Sequence, residues 1–316
     1  MTAAPGSAGP EAPGPQAAAR VVPHRSGFAC FVGRPNVGKS TLMNSLVGTK
    51  IAITSSRPQT TRHAIRGIVA RPDAQLVVVD TPGLHRPRTL LGERLNDVVR
   101  ATLSEVDVVG FCLPADEKVG PGDRYLAEEL GRLRRTPVLA VITKTDAAGR
   151  DTIGAQLLAA SELGDWADVV PVSAVGGFQV GLLADLLVRH LPEGPPLYPE
   201  GVLTDEPEQT LVAELVREAA LEGVRDELPH SLAVTIEEMT PRECGDLLDV
   251  WCTVYVERDS QKPIVLGKGG ARLRDVGTRA RRDIEALLGT RVYLNLHVKV
   301  AQDWQRDPRQ LRRLGF

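Results

Sequence analysis

Aromatic residues make up only 4% of this 316-residue chain and cysteines number four, so neither an aromatic-rich core nor a dense disulfide scaffold is available to it. Cys30, Cys112, Cys244 and Cys252 lie far apart, with no CxxC pair and no histidine at zinc-finger spacing. Free or buried thiols in a reducing compartment are therefore expected. Residues 1–25 are rich in Ala, Pro and Gly and hold no apolar stretch of signal-peptide length, which predicts a disordered extension of a cytoplasmic protein. An organelle transit peptide would carry more Arg and Ser and fewer prolines. No internal repeat is found. What the chain does have is a hydrophobic fraction of 42%, a charged fraction of 25% and length enough for two domains with separate cores.

Short apolar runs recur between amphipathic stretches: 28–32, 65–69, 76–79, 106–113, 138–142 and 169–172. Runs apolar on both faces require helices on both sides, which predicts a doubly wound, mostly parallel α/β sheet over residues 26–191. The second and third runs are separated only by a turn around Pro72 and Asp73 and are expected to form an antiparallel hairpin. Pro192, Pro195, Pro196 and Pro199 with two glycines, ahead of an acidic cluster, then mark a linker at 192–207. Beyond it the pattern predicts a smaller α+β domain at 208–303: a helix (209–227), two strands (232–238 and 250–257), a helix-turn-helix segment (263–288) and a last strand (292–300). Residues 304–316 are left as a tail.

Gly33-Arg34-Pro35-Asn36-Val37-Gly38-Lys39-Ser40 fits GxxxxGK[ST], with a strand before it and a helical pattern starting at Thr41 after it. Glycines let successive backbone N–H groups curl around phosphate oxygens, and the helix N-terminus adds its positive end. Lys39 is expected to reach the outer phosphates and the Ser40 hydroxyl to ligate Mg²⁺. A second motif, Asp80-Thr81-Pro82-Gly83, ends a strand where open α/β sheets bind ligands. Asp80 would hold Mg²⁺ through water, and Gly83 would offer its N–H to the terminal phosphate and act as a hinge. Thr143-Lys144-Thr145-Asp146 names the base: a carboxylate accepting from N1–H and the 2-amino group selects guanine, since adenine has neither donor. Lys144 would pack along the nucleotide, and Ser173-Ala174 would close the base pocket with a backbone N–H.

These elements resemble the translation-factor-related class of GTPases, whose Asn-Lys-x-Asp motif has Thr143 in first place here. The polar run 55–62 sits where the first switch belongs, and Thr61, with Thr60 as second choice, is expected on Mg²⁺ when GTP is bound. Leu84 stands where many small GTPases carry a water-orienting glutamine. Slow unaided turnover follows, with Lys39, Thr61 and Gly83 as the catalytic set. Asn36 resembles the P-loop asparagine that helps bind K⁺ in cation-dependent relatives. A kinase-like P-loop enzyme is disfavoured by the guanine motif, a tandem GTPase by the lack of a second P-loop, and a dead site by intact Lys39, Ser40 and Asp80.

Charge is distributed unevenly: residues 205–257 hold 3 Lys/Arg against 14 Asp/Glu, whereas residues 258–316 hold 14 against 6. The basic end is an electrostatic footprint for phosphate. Within it, Gly267-Lys268-Gly269-Gly270 forms a GxxG turn between helices, the clamp by which KH domains approach an RNA backbone. The element order is that of the second KH topology. Lys262, Ile264, Val265, Arg272 and Arg274 complete the expected RNA surface.

A single GTPase domain carrying TTRH (Thr60 to His63) and DTPGLH (Asp80 to His85), a linker and a KH module resembles the Era family over nearly the whole chain after Ser26. The ending, Val298 to Trp304 and on through Leu314-Gly-Phe316, is also similar to that family. The resemblance implies a GTPase acting on the 3′ end of 16S rRNA during 30S subunit maturation, with Mg²⁺ and K⁺ as cations and no DNA partner. It also implies a cytoplasmic location with peripheral contact at the inner face of the cell membrane. The alternative is a ribosome-associated GTPase with different RNA cargo.

Overall fold

The computed structural model describes residues 23–54, 61–62, 64–83, 89–222, 231–242 and 246–315. Residues 1–22 of the expected extension, switch residues 55–60 including Thr60, and His63, Leu84, His85 and Cys244 lie outside the described residues.

In chain order the first module runs β1 (Arg25–Val32), α1 (Lys39–Val47), β2 (Ile65–Ala70), β3 (Ala74–Asp80), α2 (Leu90–Glu105), β4 (Val108–Pro114) and α3 (Pro121–Leu130). It continues with β5 (Val138–Thr143), α4 (Arg150–Ser161), β6 (Asp168–Pro171) and α5 (Val180–Arg189). The sheet order is β2-β3-β1-β4-β5-β6, with only the β2–β3 pair antiparallel, as the short turn at Pro72 and Asp73 predicted. Alternation along β1 explains the two helical layers. Ala29 and Phe31 pack with Leu42 and Met43 of α1 and Leu183 and Leu187 of α5. Cys30 and Val32 pack the other way, with Leu126 and Leu130 of α3. The chain leaves β1 toward β3 on one side and β4 on the other, and this reversal opens a crevice at the C-terminal edge of β1.

Residues 192–207 lie along the β2–β3 edge. The Gln75 side chain accepts from the N–H groups of Leu197 (2.7 Å) and Tyr198 (2.8 Å), and the Ile68 N–H donates to the Leu203 carbonyl at 2.8 Å. The second module follows as α6 (Glu208–Leu221), β7 (Ala233–Pro241), β8 (Leu247–Val256), α7 (Lys262–Leu266), α8 (Ala271–Leu288) and β9 (Arg291–Val300). β8 pairs antiparallel with β7 and parallel with β9. The helix expected over 209–227 ends at Leu221, where Glu222 caps it, and residues 223–230 are outside the described set. α8 turns Val276, Ala280 and Ile284 inward at i, i+4, i+8 spacing, onto Val250, Cys252 and Val254 of β8. Its ends are set by Gly270 (φ 74°) and Gly289 (φ 66°) in the left-handed region.

Residues 304–314 do not behave as a free tail. Trp304 is 0% exposed, and Leu311 and Leu314, the former on α9 (Pro308–Arg313), are buried with it against Leu91 and Leu95 of α2. The apolar content of this segment, read as an ending, is a packing surface. Among the described residues no helix is long and apolar enough to cross a membrane.

Cys30, Cys112 and Cys252 are free and buried. Burial pushes the Cys112 and Cys252 thiols up to about 12, and that of Cys30 higher still. With so little thiolate at neutral pH, alkylation of these three is expected to be negligible in the native chain and rapid in denaturant. Peptide mapping by mass spectrometry checks this, and native labelling of any of the three would contradict the packing.

Candidate nucleotide site and nucleic-acid interface

The loop between β1 and α1 is shaped by contacts that only glycine permits. A Cβ on Gly33 would sit 2.7 Å from the Cys112 carbonyl oxygen, and Gly38 enters α1 at φ 97°. Lys39 is buried and folds back over the loop, its Nζ donating to the carbonyls of Gly33 (3.1 Å) and Arg34 (2.9 Å). Burial lowers its pKa, opposed by nearby Asp80. The Asp80-Thr81-Pro82-Gly83 turn closes on the same loop: a Cβ on Gly83 would meet the Pro35 nitrogen at 3.0 Å. The Thr81 hydroxyl donates to the Phe31 carbonyl at 3.0 Å.

Three oxygens meet beside Lys39. Ser40 Oγ and Thr61 Oγ1 donate to Asp80 Oδ2 at 2.6 and 2.9 Å and lie 3.1 Å from each other. Asp80 is 0% exposed, and its Oδ1 is buried without a hydrogen-bond partner. Burial raises its pKa, opposed by Ser40, Lys39 and Thr61, and least by the Thr81 backbone. Two hydroxyls and a carboxylate with an unused oxygen suit a hard divalent cation. No cluster of three or more His, Cys, Asp and Glu side chains exists among the described residues, so the remaining ligands at such a site would come from phosphate and water.

At the far end of the cavity Asp146 Oδ1 accepts from Ser173 Oγ at 2.6 Å, and Ser173 Oγ accepts from the Gly176 N–H at 2.8 Å. The carboxylate is thereby fixed in direction. Thr143 Oγ1 donates to the Val37 carbonyl at 2.6 Å, tying the Thr143–Asp146 loop to the Gly33–Ser40 loop. Lys144 adopts φ 56° and places Nζ 3.7 Å from Asp116.

A cavity of about 300 Å³ collects Pro35, Asn36, Gly38, Lys39, Ser40, Thr41, Thr61, Gly83, Thr143, Lys144, Asp146 and Ala174. Of the other expected residues, Gly33, Val37, Asp80, Thr81, Pro82, Thr145 and Ser173 lie behind this lining, and Leu84 is outside the described residues. Arg34 differs from expectation in its side chain, which turns away to Asp123 (2.7 Å) and Glu117 (3.0 Å), leaving only its backbone for a ligand. Ile53, Thr54, Ala147 and Val175 also line the cavity. No motif marks them in the sequence.

In the second module Gly267, Gly269 and Gly270 all have positive φ (70°, 58° and 74°). A Cβ on Gly267 would lie 2.7 Å from Arg272 Cβ, whereas nothing lies within 4 Å of one on Gly269 or Gly270. Lys262, Lys268 and Arg274 are exposed beside the turn, and Ile264 is 53% exposed. Val265 is a correction: at 1% exposure it packs into the core with α6 and α8, so no RNA contact falls to its side chain. Arg272 is corrected in part, because its guanidinium donates to the carbonyls of Ala220 and Glu222 and closes the end of α6. A groove of about 390 Å³ runs between α8 and β9, walled by Leu273, Arg274, Gly277 and Arg281 on one side and Tyr293 and Leu296 on the other. The β9 wall went unread in the sequence.

Residues 28–144 match the family described as 50S ribosome-binding GTPase, and residues 227–305 match the KH domain family. The GTPase Era of Streptomyces coelicolor is 68% identical, covering 93% of this chain and 95% of that protein. The GTPase Era of a Nocardioides species is 65% identical, covering 96% and 98%. Among solved structures, a substituted Aquifex aeolicus Era bound to GDP·AlF4⁻ superposes with a TM-score of 0.88 at 37% identity, over 92% of this chain and 99% of that one. An Era in complex with MgGDPNP and nucleotides 1506–1542 of 16S ribosomal RNA gives 0.88 at 38% identity, again over 92% and 99%.

Proposed function

The chain belongs to the Era family of GTPases, and from that premise we propose that it couples a GTP cycle to binding of the 3′ end of 16S rRNA during 30S subunit assembly. The observation that carries the reading is the convergence of the P-loop, the Asp80 turn and the Thr143–Asp146 loop on one cavity, on a chain that also presents a GxxG turn and a basic helix. The bound 16S fragment of the structural relative favours a small-subunit target. A ribosomal GTPase with other RNA cargo is the alternative. A cytoplasmic location, with peripheral membrane contact, follows the family resemblance.

In this reading Asp146 accepts the two guanine donors, and Lys39 exchanges its loop carbonyls for phosphate oxygens when GTP enters. Ser40, Thr61 and Asp80, now joined by hydrogen bonds, are the residues that would hold Mg²⁺, the two hydroxyls directly and Asp80 through water. When bound, such a cation would supply positive charge against the outer phosphates. Gly83, packed on Pro35, gives its N–H to the terminal phosphate and shifts when that phosphate leaves. The GxxG turn brings its backbone to the RNA phosphates while the α8–β9 groove receives bases.

Asn36 lines the cavity at φ 64° and is the residue proposed to help hold K⁺. Turnover is expected to be faster in K⁺ than in Na⁺, and Asn36→Ala to remove the difference. Equal wild-type rates in both salts would remove K⁺ from the account. The proposed function itself is tested by RNA affinity with a GTP analogue against GDP. Tighter binding with the analogue supports coupling, and by linkage RNA then favours GTP equally. Equal affinities would leave two uncoupled modules.

A further inference from the structure

Two elements beside the cavity, Arg62 next to Thr61 and the start of α2, contact the second module. Thr61 donates to Asp80, and the next residue, Arg62, is 2% exposed and enters the seam between the modules. Its Nη1 donates to the Leu232 carbonyl at 2.6 Å, and its guanidinium carbon lies 5.6 Å from the centroid of the Trp304 ring. Trp304 is itself fixed, its indole N–H donating to the Ser231 carbonyl at 3.1 Å. On the other side, α2 begins just after the Asp80-to-Gly83 turn and residues 84–88. Its Leu91 N–H donates to the Gln305 carbonyl at 3.3 Å, while Leu91 and Leu95 pack on Trp304, Leu311 and Leu314. One C-terminal segment thus touches Arg62, next to Thr61, and Leu91, near the start of α2.

Resting on the GTPase reading above, we propose that Arg62 is a positioning residue for GTP hydrolysis. Its seat on Trp304 and the Leu232 carbonyl fixes the Thr61 backbone beside Ser40 and Asp80, within reach of the proposed cation position, and the 304–314 segment links the second module to both Arg62 and α2. The physical reason is proximity. Consecutive Cα atoms are about 3.8 Å apart, so Thr61 cannot move far unless Arg62 moves with it. A buried guanidinium does not leave its acceptor and ring without a replacement for both. The sequence places Arg62 in the TTRH motif but gives it no such role, and Trp304 reads as an ending.

The test uses the full chain and four variants: Arg62→Gln, Arg62→Lys, Trp304→Phe and Arg62→Gln with Trp304→Phe. kcat and KM for GTP are measured separately, together with GDP affinity, melting temperature and RNA affinity in the GDP state. Arg62→Gln is expected to lower kcat by about 10- to 100-fold, the cost of a misplaced catalytic group, with KM and GDP affinity within about twofold of wild type. Arg62→Lys, which keeps the charge over the ring, is expected to recover part of the loss. Trp304→Phe should lose less than Arg62→Gln, and the double variant should be no worse than Arg62→Gln, because the two act through one contact. An unchanged kcat in Arg62→Gln overturns the proposal. So does a loss of kcat matched by a loss of GDP affinity, with Arg62→Lys no better, since that is the mark of a merely structural arginine. Failure of wild-type RNA binding would remove the RNA-directed function and leave these hydrolysis ratios to decide on Arg62.

Discussion

Asp146→Asn is expected to weaken GTP binding by about 10²–10⁴-fold, because two charge-assisted hydrogen bonds of roughly 1.5–3 kcal/mol each are lost or reversed. Guanine offers N1–H and a 2-amino group, both donors, and in the proposed reading the Asp146 carboxylate accepts from both. An asparagine keeps one acceptor and replaces the other with an N–H₂ donor that faces the 2-amino group. Xanthine has an acceptor oxygen at that position, so the same variant should bind xanthosine nucleotides better than guanosine ones. The Ser173 hydroxyl that orients Asp146 at 2.6 Å can donate to the amide oxygen as well, so the loop need not rearrange. Competition of XDP and GDP for the variant checks this. Undiminished preference for GDP would move the base-reading role to another residue and undo the assignment of the cavity.

The second large effect is expected at the GxxG turn. Lys268→Asp with Gly269→Asp should lower RNA affinity by about 10²-fold, since two negative charges are set against the phosphate chain where one positive charge stood. Both side chains project into open space: Lys268 is exposed and nothing lies within 4 Å of a Cβ on Gly269. Aspartate also tolerates the φ of 58° found there better than most residues. Folding and GTP affinity should therefore be unchanged. Gly267 is unsuited to the same experiment, because a Cβ there would meet Arg272 Cβ at 2.7 Å and the helix junction would have to shift. Loss of RNA binding on changing Gly267 would not separate a lost contact from a lost fold. Nuclease footprinting and titration of a short single-stranded RNA check the Lys268 and Gly269 result, and unchanged affinity would place the RNA elsewhere.

Much of the nucleotide cavity was legible because its chemistry demands fixed residue types at fixed short spacing. A phosphate loop needs Gly38, Lys39 and Ser40 in succession, and a guanine reader needs a carboxylate after a buried strand. Strands apolar on both faces announced the covered sheet, and the brief turn at Pro72 and Asp73 announced its antiparallel edge. What escaped were contacts made across long sequence separations. Nothing near Arg34 indicates that its guanidinium belongs to Asp123, 89 residues on. Val265 and Ile264 are neighbours of one kind in the sequence, yet a helix of five residues turns one inward and leaves the other 53% exposed. A helix that short has too few positions for its apolar period to be read. The buried packing of Trp304, Leu311 and Leu314 depends on a partner surface on α2 more than 200 residues away along the chain, beyond any local pattern.

The coupling of the GTP site to the RNA surface can be measured directly. A single-stranded RNA copied from the 3′ end of 16S rRNA is titrated against a scrambled RNA of equal length and charge, at fixed salt, with a non-hydrolysable GTP analogue and again with GDP. The true sequence is expected to bind more tightly than the scrambled one, and this advantage to be larger with the analogue than with GDP. Equal binding of the two RNAs in both nucleotide states would contradict it.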